Sequence, residues 1–207
     1  MALGDRGAAP VNAQHSASSM EHGSPPVSTD LARAVFGGRI GLDPFSSAYW
    51  NRHTTKADRY IDRERDGLVT SWRLEGEPPP TVFENPPGAD KAAGTKSLVR
   101  KAWERTVQML LCGAIDGAYW HGYSLEQFVH LQGAPMHPLQ FVTLVFCERL
   151  DHLVRPPGGG PPQKQGSPTH GSYATLLPTR RAEADARAQV QRFRDLGVSL
   201  GAIVRPF

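Results

Sequence analysis

The tetrapeptide Asn85-Pro86-Pro87-Gly88 follows the short β-prone run Thr81-Val82-Phe83-Glu84, and its residue types can gather hydrogen-bond acceptors around a planar amino group. The lone pair of such an amine is delocalised into the attached ring or carbonyl. It attacks an electrophilic methyl group only after acceptors on its N–H bonds draw it out of conjugation. The Asn85 side-chain oxygen takes one N–H and the Pro86 carbonyl the other. Two successive prolines hold the turn rigid and contribute no backbone donor that would compete. The same four residues are also ordinary turn formers, so the motif alone leaves methyl transfer and a plain turn both open.

The elements that must position this motif read as alternating strands and helices. Pro78-Pro79-Pro80 forces an extended approach to a strand over 81–84 that delivers Asn85. Beyond the motif, a polar loop over 89–94 leads into a helix over 97–111. Leu98, Ala102, Val107 and Leu111 lie near one stripe of that helix, with Arg100, Lys101, Glu104 and Arg105 on its other faces. Upstream, Asp30 caps a short helix over 31–36, followed by a first strand over 39–43. A turn or short helix over 46–56, a second strand near 57–61 and a charged turn over 62–67 come next. Downstream, 115–121 reads as a strand, and Ser124 with Glu126 and Gln127 starts a short helix over Phe128 and Leu131. Further strands are expected at 148–154 and 172–177, separated by a Pro/Gly-rich loop over 155–168. Thr179 then caps a final helix ending before Gly197, and 200–204 forms a last strand. Such alternation predicts a three-layer α/β sheet.

Composition bounds the setting. Residues 1–29 are rich in Ala, Ser, Gly and Pro with almost no large apolar side chains, which predicts a disordered tail. The remainder, 30–207, is one domain's worth of chain, with 39% hydrophobic residues over the 207-residue sequence. Cys112 and Cys147 show no paired framework and no C-x-x-C spacing, as expected of reduced thiols in a cytoplasm. The first residues carry no apolar signal segment, and the longest apolar stretch, 141–146, is far short of a bilayer span, so neither secretion nor membrane insertion is expected. A formal charge of +3 permits contact with phosphate backbones without establishing it. The eight histidines show no metal-ligand spacing, and no metal is expected.

Several segments lie in one order along the chain: Gly41-Leu42-Asp43-Pro44-Phe45-Ser46-Ser47, Asp66-Gly67-Leu68 with Trp72, and Val82 to Gly88. They are followed by Gly122-Tyr123-Ser124-Leu125-Glu126, Cys147-Glu148-Arg149-Leu150 and Gly166-Ser167-Pro168-Thr169-His170-Gly171-Ser172. From about residue 30 to residue 207 this pattern resembles the phage-type DNA N6-adenine methyltransferase family, in the branch whose catalytic motif reads Asn-Pro-Pro-Gly. The resemblance implies a Rossmann-like class I S-adenosylmethionine-dependent methyltransferase with a mostly parallel sheet, an antiparallel terminal strand and DNA as partner, its target adenine flipped out. It implies catalytic roles for Asn85, Pro86, Pro87 and Gly88 and cofactor binding by Asp43, Pro44, Phe45 and Ser46. Asp66 would take the adenine or ribose edge of S-adenosylmethionine.

Most N6-adenine enzymes carry an aromatic where this chain has Gly88, so another side chain must stack on the base. Trp50, Trp72, Trp120 and Tyr123 are the candidates, with Trp72, Tyr123 and His170 assigned to the substrate. The interval from Asp43 to Asn85 has room for about one βαβ unit. An abbreviated cofactor half is therefore expected, its pocket formed partly by the loop from Asp66 to Trp72. The same cradle would serve RNA adenine or a protein glutamine amide, and a catalytically inactive nucleic-acid-binding relic is a further reading.

Overall fold

The computed structural model describes residues 22–86, 97–166 and 170–204. Its elements in chain order are α1 (Pro26–Val35), β1 (Leu42–Asp43), α2 (Ala48–Trp50) running into a π-helical turn (Asn51–Thr55), β2 (Arg59–Tyr60) and β3 (Val82–Glu84). These are followed by α3 (Leu98–Leu111), β4 (Ala118–Gly122), α4 (Gln127–His130), a 3-10 turn (Pro138–Gln140) and β5 (Val142–Phe146). The last are β6 (Leu153–Val154), β7 (Gln163–Lys164), β8 (Tyr173–Leu177), α5 (Glu183–Gly197) and β9 (Gly201–Val204).

Seven strands form one sheet in the order β2-β1-β3-β4-β8-β5-β9, and β6 with β7 forms a separate ribbon. The first four run parallel to one another. β8 is antiparallel to both its neighbours, so β5 regains the common direction, and β9 reverses again. The sheet is thus mostly parallel with helices on both faces, in a mixed α/β fold.

Strand alternation divides the core in two. On one face Val82, Trp120 and Leu177 pack with Trp103, Val107 and Leu110 of α3. On the other, Phe83, Tyr119 and Leu144 pack with Leu31 and Val35 of α1 and Phe193 of α5. Neighbouring residues of β3, Val82 and Phe83, therefore serve opposite cores, which fixes its register.

The helix over 97–111 forms as expected, with the Ser97 hydroxyl accepting the Arg100 N–H at 3.2 Å. Its buried stripe is rotated from the predicted one. Val99, Ala102, Trp103, Thr106 and Leu110 face inward, and Leu111 is 53% exposed. Trp103 explains the rotation: its large ring sits edge-on to Trp120 at 5.1 Å between centroids, and the helix turns to bury it.

Four expectations are corrected. Residues 22–29, expected in the disordered tail, form a strap and the start of α1, while the rest of the expected tail, 1–21, lies outside the described residues. The helix starts at Pro26 with Ser28 and Thr29 buried, while Asp30, its expected cap, lies within the helix and pairs with Arg33. The strand expected at 148–154 shrinks to the two residues of β6, and the full strand of this region is β5, the apolar run judged above only for its shortness. Thr179 does not cap α5, whose N-cap is Ala182. Its hydroxyl bonds Asp116 and its N–H donates to Gln189 Oε1 at 2.8 Å, tying the end of β8 to the approach of β4 and to α5.

Residues 22–25 form a strap across the sheet end. Gly23 exchanges two backbone hydrogen bonds with Leu153, at 2.8 and 3.0 Å. A Cβ at Gly23 would overlap the ring of buried Trp50. Gly23→Ala is therefore expected to lower unfolding stability by about 1–3 kcal/mol, measured by urea denaturation. A variant as stable as the parent would show that the strap is not tightly packed.

Candidate active site

Two neighbouring strands carry the residues of interest to one edge. From β1 the chain moves outward to β2 and then returns on the other side of β1 as β3, so the strand order switches between β1 and β3. Open α/β sheets take ligands in the crevice outside the carboxyl ends at such a switch. Asp43 is the last residue of β1, and Asn85 is the first residue after β3. β4 runs parallel to β3 with Glu84 opposite Trp120, and antiparallel β8 begins opposite the end of β4, with Gly122 paired to Tyr173. Tyr123 and His170 therefore reach the same edge as Asp43 and Asn85. Asn85 is half-buried and Pro86 buried, and the Asn85 Nδ2 donates to the hydroxyl of Ser24 in the strap at 3.0 Å. Pro87 and Gly88 lie outside the described residues.

Asp43 is buried and shapes its own loop. Its Oδ1 accepts the Phe45 N–H at 3.2 Å and its Oδ2 the Thr55 hydroxyl at 2.8 Å. Burial outweighs these hydrogen bonds and pushes its pKa up to about 6. The Pro44-Phe45 turn is met by the second predicted cofactor segment: a Cβ at Gly67 would overlap the Pro44 carbonyl oxygen, so only glycine fits. Asp66, in left-handed conformation at φ 53°, is exposed and accepts the Leu68 N–H at 2.9 Å. Its carboxylate is a turn-former that leaves oxygen facing solvent. The Ser46 N–H donates to the Ile61 carbonyl at 3.1 Å, which ties this loop to the segment after β2.

The aromatics divide sharply. Trp72 is fully buried, donates its indole N–H to the Gly67 carbonyl at 2.7 Å and meets Phe45 edge-on at 6.2 Å between centroids. It packs beneath the Phe45 and Gly67 loops, and a fully buried ring has no face to offer a substrate base, contrary to expectation. Trp120 is likewise core, between the sheet and Trp103, and Trp50 is buried against the strap. Tyr123, half-buried where β4 ends, is the one of the four candidates with surface left for a planar ligand.

Two features escaped the sequence reading. Glu84, immediately before Asn85, is fully buried, and its pKa is raised well above the ordinary range by burial, with nearby Asp43 adding to the shift. The Thr106 hydroxyl lies within hydrogen-bond distance of both Glu84 oxygens, at 2.8 and 2.6 Å, and of the Ala102 carbonyl, at 2.8 Å. One hydroxyl proton cannot serve three acceptors. A protonated Glu84 resolves this by donating to Thr106 while Thr106 donates to Ala102. The second feature is a set of histidines scattered in sequence: His121 and His152 have ring centroids 5.3 Å apart, and His22 and His152 6.5 Å. His121 Nδ1 bonds Ser28 Oγ at 2.9 Å. Burial lowers the pKa of all three, with His152 near 4, and keeps them neutral at pH 7.

No protein-family model, curated protein or solved structure matches the chain. Among the described residues, no group of three or more His, Cys, Asp and Glu is arranged to hold a metal ion, and no helix is long and apolar enough to cross a membrane.

A buried acid that stays protonated makes stability fall as pH rises. Above the pKa of an unfolded Glu the unfolded chain has lost a proton that the folded chain keeps, so each further pH unit costs up to about 1.4 kcal/mol until Glu84 ionises in the fold. Glu84→Gln keeps a donor toward Thr106 and removes this slope. Denaturant titrations between pH 5 and 8 should show the variant gaining on the parent as pH rises. A constant difference across that range would mean that Glu84 is ionised in the folded protein.

Proposed function

We propose that this chain transfers the methyl group of S-adenosylmethionine to the exocyclic N6 amine of adenine in DNA. The observation that carries this reading is that Asp43 and Asn85 stand at the carboxyl ends of the adjacent parallel strands β1 and β3, on either side of the switch point where open α/β sheets take ligands. The reversal of β9 agrees with the antiparallel terminal strand implied by the resemblance, and the two-residue strands β1 and β2 agree with an abbreviated cofactor half. The choice of DNA adenine as acceptor rests on the resemblance.

When bound, the cofactor would supply a methyl group made electrophilic by its sulfonium. The residues present fit such a cation: Asp43 is a buried carboxyl whose oxygens each retain a lone pair, in a loop closed by Gly67. Asn85 Oδ1 and the Pro86 carbonyl accept the two N–H bonds of the target amine, so its lone pair turns toward the methyl group as nitrogen becomes tetrahedral. Tyr123 offers the base a surface where the family more often has an aromatic at the fourth motif position.

Because Asp43 is protonated below about pH 6, binding a cation beside it should release a proton and tighten as pH rises from 5 to 7.5. Calorimetry in buffers of different ionisation enthalpy reads both effects, and Asp43→Asn should bind more weakly with neither. PH-independent affinity in the parent would remove Asp43 from the cofactor site.

Incubation with labelled S-adenosylmethionine and phage or bacterial DNA, followed by nucleoside analysis, tests the reaction itself. Asn85→Ala should lose about a hundredfold in turnover with little change in cofactor affinity, and Asn85→Asp should retain more because a carboxylate still accepts. Label appearing only in RNA or on protein would move the acceptor, and an Asn85→Ala variant as fast as the parent would sink the mechanism.

A further inference from the structure

On the methyl-transfer reading, the Asn85 amide works in only one of its two orientations. With Oδ1 toward the substrate it accepts the amine N–H. Turned over, it presents an NH2 group of nearly the same size that repels that N–H. The deciding group comes from far upstream: Asn85 Nδ2 donates to Ser24 Oγ at 3.0 Å, and Ser24 is only 5% exposed. We propose that Ser24 is a positioning residue that holds the Asn85 amide with its oxygen toward the target amine.

The neighbourhood of Ser24 suits this role. The hydroxyl stands on a strap fixed from several sides: Gly23 is bonded to Leu153 and packed against Trp50, and Ser28, one helical turn on, bonds both His121 Nδ1 at 2.9 Å and Tyr119 Oη at 3.1 Å. Pro25 and Pro26 restrict the backbone between these anchors. The Ser24 oxygen accepts the Nδ2 proton here; because a hydroxyl also donates, it holds this orientation while its own proton is turned away from Asn85 Oδ1, whereas a backbone N–H in its place would bind Oδ1 and turn the amide the wrong way.

The inference rests on the proposed reaction, and the test separates the two. Ser24→Ala and the volume-preserving Ser24→Cys, whose thiol accepts weakly, should each lower kcat about tenfold with the Kd for S-adenosylmethionine within about twofold of the parent's. In the Asn85→Asp background both carboxylate oxygens accept and no wrong orientation exists, so the same changes at Ser24 should cost less than about threefold. Equal losses in the two backgrounds would reduce Ser24 to a packing residue. A loss confined to cofactor affinity would make it a cofactor contact instead. Parent-like kcat in both Ser24 variants would remove Ser24 alone, whereas a parent that labels no acceptor would remove the methyl-transfer reading and this inference with it.

Discussion

The parallel ladder that holds β3 between β1 and β4 is the interaction on which the carboxyl edge depends. β3 is only three residues long, yet its backbone is bonded on both sides and its side chains enter both cores. Since both neighbours run parallel to it, all three strands end at one edge. Asp43, Asn85 and Tyr123 leave the sheet side by side for that reason. The register is pinned at the other end as well: the Asp116 N–H donates to the Pro80 carbonyl at 2.7 Å, and the N–H groups of Gly41 and Leu42 reach the Thr81 carbonyl at 3.0 Å. The proline run before the strand can make these bonds because it needs only carbonyls there. A one-residue slip would carry Glu84 to the α1 side and Asn85 to the α3 side, away from the strap.

What the sequence disclosed follows the range of the forces involved. Ser97 and the helix after it, and the short β-prone run of β3, are local, and they were legible. The rotation of α3 was not, because the burial of Trp103 depends on Trp120 meeting it from the sheet. Trp72 was read as a substrate aromatic for the same reason. Its indole N–H is taken by Gly67 close by, but the ring that covers it, Phe45, lies 27 positions upstream. The strap was missed most completely. A Ser/Pro-rich stretch has the composition of a tail, and it is ordered through partners 61 to 93 positions away and more: Asn85, Tyr119, His121 and Leu153.

β5 shows a different limit. Its run of alternating β-branched and apolar residues was visible, but the nearby segment Leu150-Asp151-His152-Leu153-Val154 competes for the same role. Tertiary pairing decides between them: β5 fills the gap between β8 and β9 and contributes to the core, whereas Leu153 and Val154 are left to bridge with the strap and β7. The position of β8 between β4 and β5 is equally illegible locally, since an inserted strand pairs with partners chosen by the whole sheet.

The electrical state of the edge bears on the chemistry proposed for it. Burial raises the pKa of Glu84 well above the ordinary carboxyl range and lowers those of His22, His121 and His152, so charge is disfavoured on the groups around Asn85. A fixed carboxylate at Glu84 would strengthen the pull of Asp43 on any cation without regard to where its methyl group pointed. A fixed imidazolium would oppose a sulfonium outright. With charge disfavoured on both, Asp43, whose pKa lies near 6, is the one carboxyl in this set whose charge a cationic ligand can call up readily, and it sits at the end of β1 rather than beside Asn85. Charge recognition is thereby confined to one side of the β1–β3 crevice. On the other side, in the reaction proposed, the amine would meet the neutral acceptors Asn85 Oδ1 and the Pro86 carbonyl, which draw its lone pair out without holding it in a salt bridge.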